Sequence, residues 1–169
     1  MMMKVRRWMA AAWLTLAAMT GSAALAAPAL QGKVTQVIDG QTLLLTAADG
    51  KAVQVGLTGI EAPLLCQPWG PESRDALKDW VLNHEVVAAP VGRPEGGRMV
   101  AMVTLDGSDL SQRMVEEGHA WSTRVKWGRG PYVKQERMAQ ALSRGLHSLA
   151  GAQPPQQFKR THAPCAPGA

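Results

Sequence analysis

Cysteine occurs only twice in the 169 residues, at Cys66 and Cys165, and His84, His119, His147 and His162 stand at no close ligand spacing to either. That spacing argues against a zinc site. Two arrangements remain for the thiols, one disulfide or two independent groups. No cysteine lies near the N-terminal region, which argues against a lipid-modified N-terminus. Acidic residues are missing from Trp8 to Thr20, an apolar run that follows the basic residues Lys4, Arg6 and Arg7. With the small-x-small triplet Ala24-Leu25-Ala26, this reads as an export signal cleaved after Ala26. The run falls short of the roughly 20 apolar residues that an uncleaved anchor needs, so no stable membrane insertion is expected once the signal is cut.

Export changes the meaning of the two cysteines. Disulfides persist in an oxidising compartment, so Cys66 and Cys165 are expected to pair. Closing a loop of roughly 100 residues stabilises a fold by up to about 4–5 kcal/mol in the chain-entropy account. Localisation is expected to be periplasmic or secreted.

The expected mature chain has 143 residues, enough for one domain with a real core. It carries 15 Lys and Arg against 13 Asp and Glu, a net charge of +2 compared with +5 for the whole chain. Residues 27–100 hold six basic and eight acidic groups, whereas 101–169 hold nine and five. Any surface that attracts anions therefore belongs to the second half.

Strands come first and helices later. Gln31 to Ile38, Thr42 to Thr46 and Val53 to Leu57 read as a meander joined by turns at Asp39-Gly40 and Asp49-Gly50. Gly70 to Leu82 has the apolar spacing of an amphipathic helix. Val86 to Val91 and Met99 to Leu105 are two more strands, separated by the glycine-rich loop from Gly92 to Gly97. Asp109 caps a helix over Leu110 to Glu117, with Gln112 three residues on and Gly118 past its end. A last helix is expected from Pro131 to Arg144, ended by Gly145. Residues 27–150 form the domain, and 151–169, rich in proline, read as an irregular tail tethered by the disulfide. The order suits an α+β, mainly β, five-stranded OB-type barrel packed by three helices, although composition alone does not select it.

Several segments, in order, carry a resemblance. They are VIDGQT (Val37 to Thr42), LTGIEAP (Leu57 to Pro63), QPWGPESRDAL, GRMVAMV (Gly97 to Val103), LSQRMVEEGHAW and the helix end SRGL. Together the chain resembles the staphylococcal-nuclease (thermonuclease) family from about Lys33 to Leu146. The resemblance implies the barrel. It also implies a chemistry in which two aspartates and a carbonyl hold calcium, a glutamate positions water and two arginines bear on the phosphate. Hard cations want oxygen ligands, and developing phosphorane charge wants fixed cations.

Carried over by position, most of that set is substituted. The first aspartate is Gln41, the second is Glu61 with Ala62 as the carbonyl residue, the glutamate is Leu64 and the first arginine is Gly56. Arg98 alone keeps its family identity. The family's tyrosine positions read Gly96, Arg124 and Lys126. Catalytic roles thus fall to Arg98 and Glu61, and Asp39 with Glu61 is a weak metal pair. Arg124, Lys126, Trp127 and Arg129 form a basic-aromatic loop suited to phosphates or an acidic partner.

Each residue has a plainer reading. Asp39 holds a turn, Glu61 is a surface carboxylate or a partner of Arg98, and the loop is solvated charge. Three functions compete: a monomeric pseudo-nuclease that binds single-stranded nucleic acid, another polyanion or an acidic protein; an active phosphodiesterase built on Asp39, Glu61 and Arg98; and a structural or envelope-associated role with no polyanion contact. No cofactor is expected in the first case, and Ca2+ only in the second.

Overall fold

The computed structural model describes residues 28–165. The expected export signal, residues 1–26, lies outside the described residues. Strand β1 (Leu30–Asp39) turns into β2 (Thr42–Ala47), which pairs antiparallel with β3 (Ala52–Leu57). After a two-residue strand, β4 (Ile60–Glu61), comes helix α1 (Gly70–Val81), and then β5 (Glu85–Pro90) and β6 (Met99–Leu105). A short β7 (Ser108–Asp109) leads into α2 (Leu110–Glu116). The chain ends in β8 (Trp121–Ser122), α3 (Val133–Ala141) and α4 (Pro155–Thr161).

The main sheet runs β3-β2-β1-β5-β6-β7, and a parallel pairing of β3 with β6 closes it into a five-stranded barrel. Alternation explains which faces turn inward. Val34, Leu43, Leu45, Val55, Val86, Ala88, Ala101 and Val103 are buried between exposed neighbours or strand partners. In β1 the alternation slips, because a register shift between Val34 and Gln36 bulges the strand and lets Val37 face the core again. Helix α1 covers the barrel end with Leu77 and Val81, and α2 adds Leu110, Met114 and Val115.

Gly40 is needed for close approach, not for an unusual backbone angle. A Cβ there would collide with the Ser73 hydroxyl of α1. Asp109 caps α2 as expected, its Oδ1 accepting the Ser111 and Gln112 N–H groups at 2.9 and 3.4 Å. Its Oδ2 accepts the Tyr132 hydroxyl at 2.6 Å, so one carboxylate ties α2 to the start of α3. Gln112 reaches Glu116 instead of returning to the cap.

Three expectations need correction. The last body helix starts at Val133 and not at Pro131, because the backbone of Tyr132 is not helical (φ −121°, ψ 24°); its N–H, like others at a helix start, is met from outside the helix, by Ser122 Oγ. It ends at Ala141, ahead of the positive-φ residue Ser143. The tail from Gln153 is not irregular: α4 occupies it, so the barrel is packed by four helices instead of three. Pro155 at the first turn gives up no hydrogen bond there and is buried against the body. Cys66 and Cys165 form the expected disulfide, with Cα atoms 5.7 Å apart. Among the described residues no helix is long and apolar enough to cross a membrane.

Candidate functional site

Barrel closure builds the principal cleft. The parallel pairing sets Val55 against Met99 and Gly56 against Val100, which brings the end of β3 beside the start of β6. Arg98 stands there because Glu95 and Arg98 exchange backbone hydrogen bonds across Gly96-Gly97, both at positive φ. This is the two-residue hairpin that glycines permit. The resulting cavity, of about 590 Å³, is lined by Gln41, Gly56, Glu61, Ala62, Leu64 and Arg98, among others. The positions Gln41, Gly56, Glu61, Ala62, Leu64 and Arg98, which the resemblance singled out, therefore share one cleft.

Their states differ. Gln41 Oε1 accepts the Ala62 N–H at 2.8 Å, so the amide that stands in for an aspartate is spent on joining the β1–β2 turn to the β4 segment. A Cβ at Gly56 would lie 3.1 Å from Arg98 Nε and 3.3 Å from its Cδ, so the arginine chain covers the space that glycine leaves. Arg98 Nη1 stands 3.4 Å from Thr42 Oγ1, while its buried Nε has no hydrogen-bond partner among the described residues. A buried donor left in this way is costly unless an acceptor arrives. Leu64 presents hydrocarbon where a base would stand.

Glu61 lines the cleft without an ion pair to Arg98, and its Oε1 accepts from Gln156 Nε2 at 3.2 Å. Asp39 is not among the cleft-lining residues; its Oδ1 accepts the Gln41 N–H at 2.9 Å and closes the turn. Calcium takes six to eight oxygen ligands, several of them charged. The cleft offers the carboxylates of Glu61 and Glu95 beside an amide oxygen already bonded, and among the described residues no three acidic, histidine or cysteine side chains converge. The donor set does not match a calcium ion.

The basic loop leaves from the rim of the same cleft, which Thr123 and Pro131 line. Its base is closed by Val125 N–H to Arg129 O at 2.7 Å. Lys126, Trp127 and Arg129 are exposed, and Trp127 is 86% accessible at φ 68°. An exposed indole on a left-handed backbone is held out by the loop and not by a core. Arg124 is placed differently. Its Nη2 lies 2.6 Å from Glu136 Oε2 and its Nη1 donates to Ser122 O, so its charge answers a glutamate that is 3% accessible on α3. It lines a neighbouring hollow, of about 470 Å³, that shares Glu61 and Gln156 with the cleft.

Two groups escaped the sequence reading. Gln156 and Lys159 of α4 line the cleft. Their signal was Pro154-Pro155 followed by helix-forming residues, a start pattern outweighed by the prolines around it. The second is the setting of His119, which sits between Trp69 and Trp80 with its Nδ1 accepting from Trp69 Nε1 at 3.2 Å. Burial pushes its pKa down, with Glu117 opposing weakly.

The family model described as Staphylococcal nuclease homologue matches residues 54–148. An uncharacterized endonuclease of Escherichia coli O157:H7 is 33% identical over 128 residues, 75% of this chain and 82% of the relative. One of Haemophilus influenzae is 30% identical over 129 residues, 76% of this chain and 72% of the relative. A probable staphylococcal-like nuclease of Oryza sativa subsp. japonica is 29% identical over 107 residues, which span 63% of this chain but 28% of the rice protein. A barrel closed by β3 and β6, a match over more than half of the sequence and relatives of this coverage lead to one conclusion: the chain belongs to the family of staphylococcal nuclease homologues.

Proposed function

We propose that this protein is an exported, monomeric pseudo-nuclease that binds single-stranded nucleic acid in the β3–β6 cleft and lacks calcium-dependent cleavage. The observation that carries the reading is the state of Gln41, whose side-chain oxygen is committed to Ala62 N–H, beside a hydrocarbon at Leu64. A metal-poor, base-poor cleft still keeps Arg98, whose Nε awaits an acceptor. A phosphodiester oxygen is such an acceptor, and a charge-assisted bond to it is stronger than a neutral one. Trp127 on the adjoining loop offers a face for an unstacked base, and Lys126 and Arg129 offer charge to the backbone. Export to the periplasm or the medium is supported by the N-terminal pattern and the Cys66–Cys165 bridge.

A second reading is an active phosphodiesterase. Glu61 and Arg98 share the cleft, and two relatives carry endonuclease in their names, which favours it. Asp39 cannot serve that reading from its present turn, so it rests on Glu61 as the sole carboxylate from the expected set. The test of the first reading is fluorescence anisotropy with a labelled oligothymidylate in the presence of a chelator. Binding whose logarithm falls linearly with the logarithm of salt concentration is expected, because each neutralised phosphate releases counterions. No binding at low salt would remove the nucleic-acid reading in favour of an acidic protein partner.

A further inference from the structure

Lys159 lies beyond residues 54–148, the part matched by the family model, yet it faces the cleft that the matched residues build. Helix α4 carries it there and is fixed at several points. Pro155 is buried, Gln67 Nε2 donates to Gln153 O, and the disulfide from Cys66 to Cys165 anchors the segment that follows. Gln156 and Lys159 are three residues apart, hence on one face of the helix. Gln156 holds Glu61 at 3.2 Å, and Lys159 has no carboxylate within 4.0 Å among the described residues. Arg98, which lines the same cavity, extends over Gly56, where the family resemblance places its first arginine. The cavity thus holds an unpartnered buried donor and, among the described residues, an unpaired ammonium.

We infer that Lys159 is the second phosphate-binding cation of this cleft, delivered by the disulfide-tethered tail helix in place of the arginine missing at Gly56. This rests on the reading of the cleft as a nucleic-acid site. The ligand's charge follows from the walls. Glu61 and Glu95 also line the cavity, so two cations face two carboxylates. A phosphodiester monoanion fits that balance, whereas a terminal phosphate dianion adds repulsion from both glutamates. Ammonium and guanidinium also differ in kind here: the planar arginine fixes one oxygen near Nε, and the flexible lysine follows the chain as it passes.

The test uses the full oxidised chain, labelled oligothymidylate and a salt titration. Lys159→Ala is expected to weaken binding several-fold and to flatten the salt slope by about 0.7, the share of one phosphate contact on a single strand. Lys159→Arg should restore both, and the melting temperature should stay unchanged, since Lys159 is exposed. Reducing the disulfide of the unmodified protein should reproduce the loss, and reduction should add nothing to Lys159→Ala. Unmodified protein that binds, with Lys159→Ala matching it in affinity and slope, overturns the inference and leaves the cleft reading standing. An oxidised protein that binds no oligothymidylate at low salt ends both. Reduction that weakens binding while Lys159→Ala does not would assign the tail another role and also overturn the inference.

Discussion

The strand-built cleft and the loop from Arg124 to Arg129 meet at one rim, Thr123 and Pro131, yet their cations are held in opposite ways. Arg98 is fixed by a glycine hairpin, covers Gly56 and has a buried Nε without a partner, so its geometry is settled before a ligand arrives. Lys126, Trp127 and Arg129 project into solvent and must be ordered when something binds. Immobilising such side chains costs about 0.5–1.5 kcal/mol each. Preorganisation therefore puts the stronger contact in the cleft, although the loop holds more charge.

That comparison is broken or sharpened first by charge removal. Arg98→Ala should lower affinity for single-stranded DNA by tenfold or more, a loss of at least about 1.4 kcal/mol, and Lys126→Ala and Arg129→Ala should each lower it two- to threefold. Anisotropy at fixed low salt measures all three. Loop variants that lose as much as Arg98→Ala would invert the assignment.

Arg124 tests the same contrast through stability. Its removal leaves Glu136 buried and unpaired, which for a fully buried pair costs about 3–5 kcal/mol. The arginine is 44% accessible, so solvent screening reduces the expected loss to about 1–3 kcal/mol. Denaturant unfolding should register that loss for Arg124→Ala and less than about 0.5 kcal/mol for Lys126→Ala or Arg129→Ala. Equal, small losses for all three would make Arg124 a free loop cation. Trp127→Ala is expected to weaken DNA binding by about 1 kcal/mol, the lower end for base stacking, without altering the salt slope, because stacking is not ionic.

The smallest effect concerns pH. Desolvation holds His119 below its ordinary value, and protonation would break the bond its Nδ1 accepts from Trp69. The unfolded chain then binds more protons than the folded one, so stability rises with pH. The contribution is complete above the unfolded value of about 6.5 and is lost as pH falls below it. His147, also pushed down by burial, adds in the same direction. Melting temperature followed from neutral to mildly acidic pH should therefore decline, and less steeply in His119→Gln. An unchanged slope would place the imidazole outside the aromatic cluster.

What could be read from the sequence, and what could not, follows the range of the forces involved. The β1–β2 turn, the Asp109 cap and the five barrel strands depend on neighbours within a few residues, and periodicity exposed them. The cleft positions were legible only through the family resemblance, carried over residue by residue. Strands β4 and β8 have two residues each, too few for a period to show. The bonds from Gln41 to Ala62, Arg124 to Glu136 and Gln156 to Glu61 join distant segments, and no local pattern announces them. Glu136 left a trace, a carboxylate four residues from Tyr132 and three from Ala139, both of them buried on the same helical stripe. Helix α4 is hidden behind its prolines, which locally signal a break although one of them starts the helix.

The central claim is that this cleft grips a phosphodiester strand without calcium-dependent cleavage. Purified mature protein should be incubated with single-stranded DNA and RNA in calcium and, separately, in a chelator, and the products resolved on a denaturing gel. The account predicts intact strands in both, at protein concentrations where anisotropy shows the strand bound. Cleavage that appears with calcium, disappears with chelator and is lost in Glu61→Gln would contradict it.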